Sequence, residues 1–138
     1  ACLAVGFGAG ALVESGHSGG STPAPRQANV PSVVLRPLAP GSGHSLAVAY
    51  MPGSDQMLLR VAHLPPSAPG TYYELWLMSS LRRLTPVTAF QIGEAGQARL
   101  TLRLPDSSSR YLYLDISLQR VGGGTGHSGD SVLRGRLT

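Results

Sequence analysis

From Val33 onward, apolar and polar or small residues alternate in short runs, each closed by proline, glycine or aspartate. Val33-Val34-Leu35-Arg36 precedes a Pro/Gly break at 37–43. Leu46, Val48 and Tyr50 alternate with small residues before the turn Pro52-Gly53-Ser54-Asp55, and Met57, Leu59 and Val61 alternate up to Pro65-Pro66. After Pro69-Gly70 comes the aromatic run Tyr72 to Met78, then a weaker strand over 86–90 that turns at Gly93-Glu94-Ala95-Gly96. Ala98, Leu100, Leu102 and Leu104 alternate strictly up to Pro105-Asp106; Leu112, Leu114, Ile116 and Leu118 then alternate with Tyr111, Tyr113, Asp115 and Ser117. A glycine-rich loop, 122–129, leads to a last strand over 132–137. About eight strands at this spacing predict an all-β fold, an antiparallel β-sandwich. The only helical expectation in 33–138 is one short turn at 79–83.

Thr71-Tyr72-Tyr73-Glu74-Leu75-Trp76-Leu77-Met78 holds the single tryptophan and two of the five tyrosines. Strand parity puts Tyr73, Leu75 and Leu77 on one face and Tyr72, Glu74, Trp76 and Met78 on the other. Both faces are apolar but for one carboxylate, so the strand is expected inside a sheet covered on both sides, with Trp76 between layers and Glu74 in a structural hydrogen bond. Asp115 interrupts its own apolar strand on the face of Tyr111, Tyr113 and Ser117. It reads as a solvent-facing or hydrogen-bonded carboxylate, with a ligand contact as the alternative.

The first thirteen residues carry no charged side chain. They fall short of the ~20 residues of a membrane-spanning helix, and no basic residue precedes them as in a signal peptide. We read 1–13 as the C-terminal part of a transmembrane span, helped by Gly6, Gly8 and Gly10; an apolar strand or a lipid-modified Cys2 are the alternatives. Residues 14–32 have the Gly/Ser/Pro composition of a flexible linker, and 33–138 form the folded domain. The linker is open to proteases, with Ser15, Ser21, Ala24 and Ala28 as candidate positions.

Composition narrows the chemistry. A hydrophobic content of 42% supports a core, while eighteen glycines and eleven prolines favour turns over helices. The net charge of +4 raises nucleic-acid binding, but only Arg82 and Arg83 are adjacent among eleven arginines, so no basic patch is visible and no nucleic-acid partner is expected. A single cysteine rules out an intrachain disulfide and a thiolate zinc cluster. Gly16-His17-Ser18-Gly19-Gly20 spells a nucleophile elbow, and Asp115 and His127 follow in triad order. The motif requires a strand-to-helix turn above a parallel sheet, which this pattern does not supply, so no enzyme is expected. His17, His44, His63 and His127 lack metal-ligand spacing and read as exposed loop residues. Gly122-Gly123-Gly124-Thr125-Gly126 lacks the Lys-Ser/Thr and helix of a phosphate loop and reads as a long flexible hairpin loop. No cofactor is expected.

Gly70-Thr71-Tyr72-Tyr73-Glu74-Leu75-Trp76-Leu77, Thr88-Ala89-Phe90, Gly96-Gln97-Ala98, Ser117-Leu118-Gln119-Arg120-Val121-Gly122-Gly123-Gly124 and Val132-Leu133-Arg134-Gly135 occur in order. Over about 45–138 this series resembles the C-terminal domain of RskA-type anti-sigma-K factors. Gln119-Arg120 stand where that family has Glu-Pro, and Gly124 where it has Ser. The resemblance marks Tyr72, Glu74, Trp76, Phe90, Gly122, Gly123 and Gly135 as family-motif residues with structural roles. It implies a single-pass membrane protein with this domain outside the cell membrane and a preceding cytoplasmic part that holds a sigma factor. It also implies release by proteolysis that begins near the membrane, at the linker. A binding module for a cell-envelope ligand or protein is the alternative reading.

Overall fold

The computed structural model describes residues 29–137 apart from Ser42, Ser54, Leu81, Asp106 and Ser107. The expected membrane segment 1–13 and the candidate linker positions Ser15, Ser21, Ala24 and Ala28 lie outside the described residues. Eight strands form: β1 (Ser32–Pro37), β2 (Leu46–Tyr50), β3 (Gln56–Ala62), β4 (Thr71–Ser80), β5 (Arg83–Phe90), β6 (Ala98–Arg103), β7 (Tyr113–Arg120) and β8 (Ser131–Arg136). A 3-10 turn covers Ser108–Arg110. Among the described residues no helix is long and apolar enough to cross a membrane.

The fold is all-β and antiparallel, as the alternation predicts. It is not two separate layers, however. The strands follow the single order β5-β4-β7-β8-β1-β2-β3-β6, in a nearly closed, barrel-like sheet. The half β6-β3-β2-β1 meets the half β5-β4-β7-β8 through a short pairing of β1 with β8, Arg36 opposite Arg134 and Pro37 opposite Leu133. Alternation reports which residues share a face, but not whether a chain bonds its two halves at a corner.

Inside the barrel, Val33 and Leu35 of β1, Met57, Leu59 and Val61 of β3, Tyr73, Leu75 and Leu77 of β4, and Leu114, Ile116 and Leu133 form one buried cluster. The inward residues of β2 are Ala47 and Ala49, while Leu46, Val48 and Tyr50 stay half-buried outside. The register explains the choice. Val33 faces Ala49 and Leu35 faces Ala47 from one side, and Val61 and Leu59 face them from the other. Bulky neighbours on both flanks leave space only for methyl groups between them.

The segment 79–83, where a helical turn is expected, is the hairpin joining β4 to β5, with Ser80 paired to Arg83. Pro86 is tolerated because β5 is an edge strand. Gly135 fixes the seam. A Cβ there would lie 2.7 Å from both Val33 Cγ1 and the Val34 carbonyl oxygen, so β8 crosses β1 at a distance only glycine permits. Replacing Gly135 with alanine is expected to destabilise the fold by about 1–3 kcal/mol through overpacking, seen as a lowered midpoint in urea unfolding with an unchanged slope.

Candidate functional site

Strand parity sends Leu75 and Leu77 inward, opposite Ile116 and Leu114, and therefore sends Trp76 outward, opposite Asp115. This corrects the expectation that Trp76 packs between layers. The indole is nevertheless buried, because the glycine-rich loop between β7 and β8 folds back across this outer face. The His127 ring lies edge-on to it with centroids 5.1 Å apart. His127 is thus no free loop residue, and the loop expected to be flexible is tied down at several points.

The ties converge on Asp115, fully buried on β7. Its Oδ2 accepts from Ser131 Oγ at 2.8 Å and stands 2.9 Å from His127 Nε2, while Oδ1 accepts from Arg134 Nε at 2.8 Å. Arg134 Nη2 also donates to Ser131 Oγ at 3.2 Å. Of the two readings of Asp115, the hydrogen-bonded carboxylate is the observed one. A second chain of bonds starts at the indole. Trp76 Nε1 donates to Ser117 Oγ at 2.9 Å, and Ser117 Oγ donates to Gln119 Oε1 at 3.1 Å. Gln119 Oε1 also accepts the Ser128 amide at 2.8 Å, and its Nε2 donates to the Gly126 carbonyl at 2.9 Å. Among the described residues no buried side-chain polar atom lacks a partner. A polar network this complete acts as a fastener, since each lost partner would strand a desolvated group.

Aspartate, histidine and serine meet here in space, so the arrangement calls for a catalytic test. His127 Nδ1 accepts the backbone N–H of Gly129 at 2.9 Å, which puts the ring proton on Nε2. Asp115 and Ser131 then crowd that same nitrogen, at 2.9 and 3.3 Å. A catalytic triad needs the acid on one ring nitrogen and the nucleophile on the other, with a free lone pair facing the hydroxyl. Ser131 has no base here, and its proton is already given to Asp115. The chemistry available is cohesion of the loop, not nucleophilic attack. Ser18 and His17 of the elbow-like motif lie outside the described residues.

Glu74 is half-buried on the same outer face. Desolvation raises its carboxyl above the ordinary range, partly countered by the His127 ring and a hydrogen bond with Gln119. Burial also raises the Tyr73 phenol, with a smaller push from Asp130, and its Oη donates to the Pro65 carbonyl at 2.9 Å. The loop borders an open cavity of about 420 Å³ reached by Arg120, Gly124 and Asp130.

The family described as "Anti-sigma-K factor rskA, C-terminal" matches residues 1–131 of the 138. The chain belongs to this anti-sigma-K factor family. No curated protein and no solved structure matches it. Membership implies an anti-sigma factor domain in a protein whose partner is a sigma factor.

The residues that the sequence resemblance singles out, Tyr72, Glu74, Trp76, Phe90, Gly122, Gly123 and Gly135, take the following places in the fold. Tyr72, Glu74 and Trp76 share the outer face of β4, with Tyr72 opposite Gln119 and Glu74 opposite Ser117. Phe90 stacks on Tyr73 at 6.0 Å at the barrel interior. Gly122 takes φ +80° where the chain turns out of β7, and the Gly123 amide closes that turn on the Arg120 carbonyl at 3.0 Å. Gly135 sits at the seam. Gln119 Nε2 donates to the Gly126 carbonyl, a bond that a carboxylate at this position could not make. Sequence reasoning missed Ser131 and Arg134, and the one available signal was a carboxylate in an apolar strand, which needs a cation nearby.

Two predictions follow from the latch. Asp115→Ala leaves the half-buried Arg134 without its acceptor and is expected to cost about 2–4 kcal/mol in chemical unfolding. His127→Ala is expected to cost only about 1 kcal/mol but to uncover the indole, shifting Trp76 emission to the red and raising iodide quenching. For Glu74 the folded carboxyl binds its proton more tightly than the unfolded one. Its contribution is therefore most favourable at acid pH and is lost as pH rises from the ordinary carboxylate range through the raised value. Thermal melts of Glu74→Gln against pH are expected to lack that decline.

Proposed function

We propose that this chain is the extracytoplasmic regulatory domain of a single-pass membrane anti-sigma factor, and that it gates proteolysis of its own tether. The observation that carries the reading is an anti-sigma-K family match over residues 1–131 that opens on an apolar stretch of thirteen residues and a Gly/Ser/Pro-rich segment before the barrel. In this reading residues 1–13 belong to the membrane span and 14–32 form the juxtamembrane linker. The linker is where a membrane or envelope protease makes the first cut, near Ser15, Ser21, Ala24 or Ala28. The barrel is the obstacle that keeps the protease away, and loss of that obstacle frees the sigma factor held by the cytoplasmic part.

A rigid domain suits this role. Its stability resides in a fastened barrel, whereas the composition of residues 14–32 is that of a linker. An enzymatic reading has little to support it, because the hydroxyl of Ser131 has no free base beside it. The test is a pair of strains, one lacking the barrel and one lacking residues 14–32, each with a sigma-dependent reporter. Barrel deletion is expected to switch the reporter on and linker deletion to hold it off under inducing stress. Unchanged output in both contradicts the gating.

A further inference from the structure

The arginines look scattered along the chain, yet the antiparallel topology sorts them by end. Residues 29–31 enter β1 at the end of the barrel where β2 stops and β3 begins, with Ser32 opposite Tyr50 and the Pro31 carbonyl accepting the Met51 amide. On β6, Arg103 lies at this end, opposite Gln56. Arg136 pairs with Tyr113 at the same end, and Met78 opposite Tyr113 brings the β4–β5 hairpin there with Arg82 and Arg83. Arg110 joins them on the 3-10 turn before β7. All five side chains are exposed. The described acid at this end, Asp55, is already beside Arg103 at 3.7 Å.

Two cavities adjoin here. A basic one of about 590 Å³ is lined by Arg82, Arg83, Arg110 and Tyr111. An apolar one of about 700 Å³ is lined by Met51, Met57, Leu77, Leu104 and Leu112, and Pro31 and Tyr111 also border it. Tyr111 is the wall between them, its hydroxyl bonded to Thr85 at 2.8 Å. Leu112 is 50% exposed and Val30 40%, so apolar surface faces outward between the cations.

Guanidinium groups beside exposed aliphatic side chains and tyrosines match the border between lipid head groups and acyl chains. Single-stranded nucleic acid stacks on open aromatic faces, whereas the described tyrosines at this end, Tyr50, Tyr111 and Tyr113, are half-buried. We propose that the tether end of the barrel docks on an anionic phospholipid surface, with phosphates at Arg82, Arg83 and Arg110 and Leu112 entering the head-group layer. The inference rests on the membrane-anchored reading above and deepens it.

The test measures binding of the full chain to vesicles of phosphatidylglycerol mixed with phosphatidylcholine, and to phosphatidylcholine alone, by co-sedimentation. A Arg82→Gln/Arg83→Gln/Arg110→Gln variant is compared, with Arg120→Gln at the opposite end as control. Any insertion of residues 1–13 is common to all of these chains. Wild type is expected to bind the anionic vesicles on the order of 10- to 100-fold more tightly than neutral ones, the preference falling with salt. The triple variant is expected to lose that preference, the control to keep it, and Trp76 emission to stay native in both.

Equal binding to both vesicle types, or a triple variant that keeps the preference, overturns the proposal. So does equal affinity for a short oligonucleotide that the same substitutions abolish, or self-association of the chain that they abolish without any vesicle preference. None of these readouts uses a sigma factor, so docking can fail while the reporter strains still show gating.

Discussion

A carboxylate withdrawn entirely from water has to be met by donors from its surroundings, and at Asp115 three side chains from two adjoining elements supply them. Arg134 and Ser131 approach from β8, and His127 from the loop between β7 and β8. Satisfying that one group therefore sets the placement of β8 beside β7 and folds the glycine-rich loop down over Trp76. A buried ion pair of this kind is poor evidence of added stability, but removing any one partner strands the others away from water. In this barrel the consequence extends to the seam, since Arg134 is opposite Arg36 where β8 meets β1. The two halves are thus joined at a place held from one side by Asp115 and permitted from the other by Gly135.

The division between inner and outer faces follows from the same strands. Leu75, Leu77, Leu114 and Ile116 fill the interior, while Trp76, Asp115, Ser117 and Gln119 build a second, polar layer outside, roofed by the loop. That outer layer resembles a hydrolytic site in composition and differs from one in connectivity. The acid and the hydroxyl share a single imidazole nitrogen, and the other nitrogen is occupied by a backbone amide. Connectivity, not the presence of the three residue types, decides the chemistry.

Much of the fold is written locally. Strand positions are legible because alternation and Pro/Gly punctuation are short-range signals, and the family is legible because its resemblance runs in order along the chain. The inward face of β2 is not, since Ala47 and Ala49 are selected by bulky neighbours on β1 and β3 that only the register brings together. The same holds for Trp76. Its two faces can be enumerated from the sequence, but its cover comes from a loop some fifty residues later, held by bonds between side chains that are distant in the chain. The basic tether end was hidden for a similar reason: arginines far apart in sequence gather where antiparallel strands start and stop.

The arrangement of β7, β8 and the loop over Trp76 turns on the fastening around Asp115. That claim is tested most directly by nitrogen-15 NMR of the His127 ring at neutral pH. The expected spectrum shows a single tautomer with the proton on Nε2, hydrogen-bonded to Asp115 and slow to exchange with solvent, and an unprotonated Nδ1 accepting from Gly129. A proton on Nδ1, or rapid exchange at Nε2, would contradict it, because the loop would then not be pinned across the tryptophan.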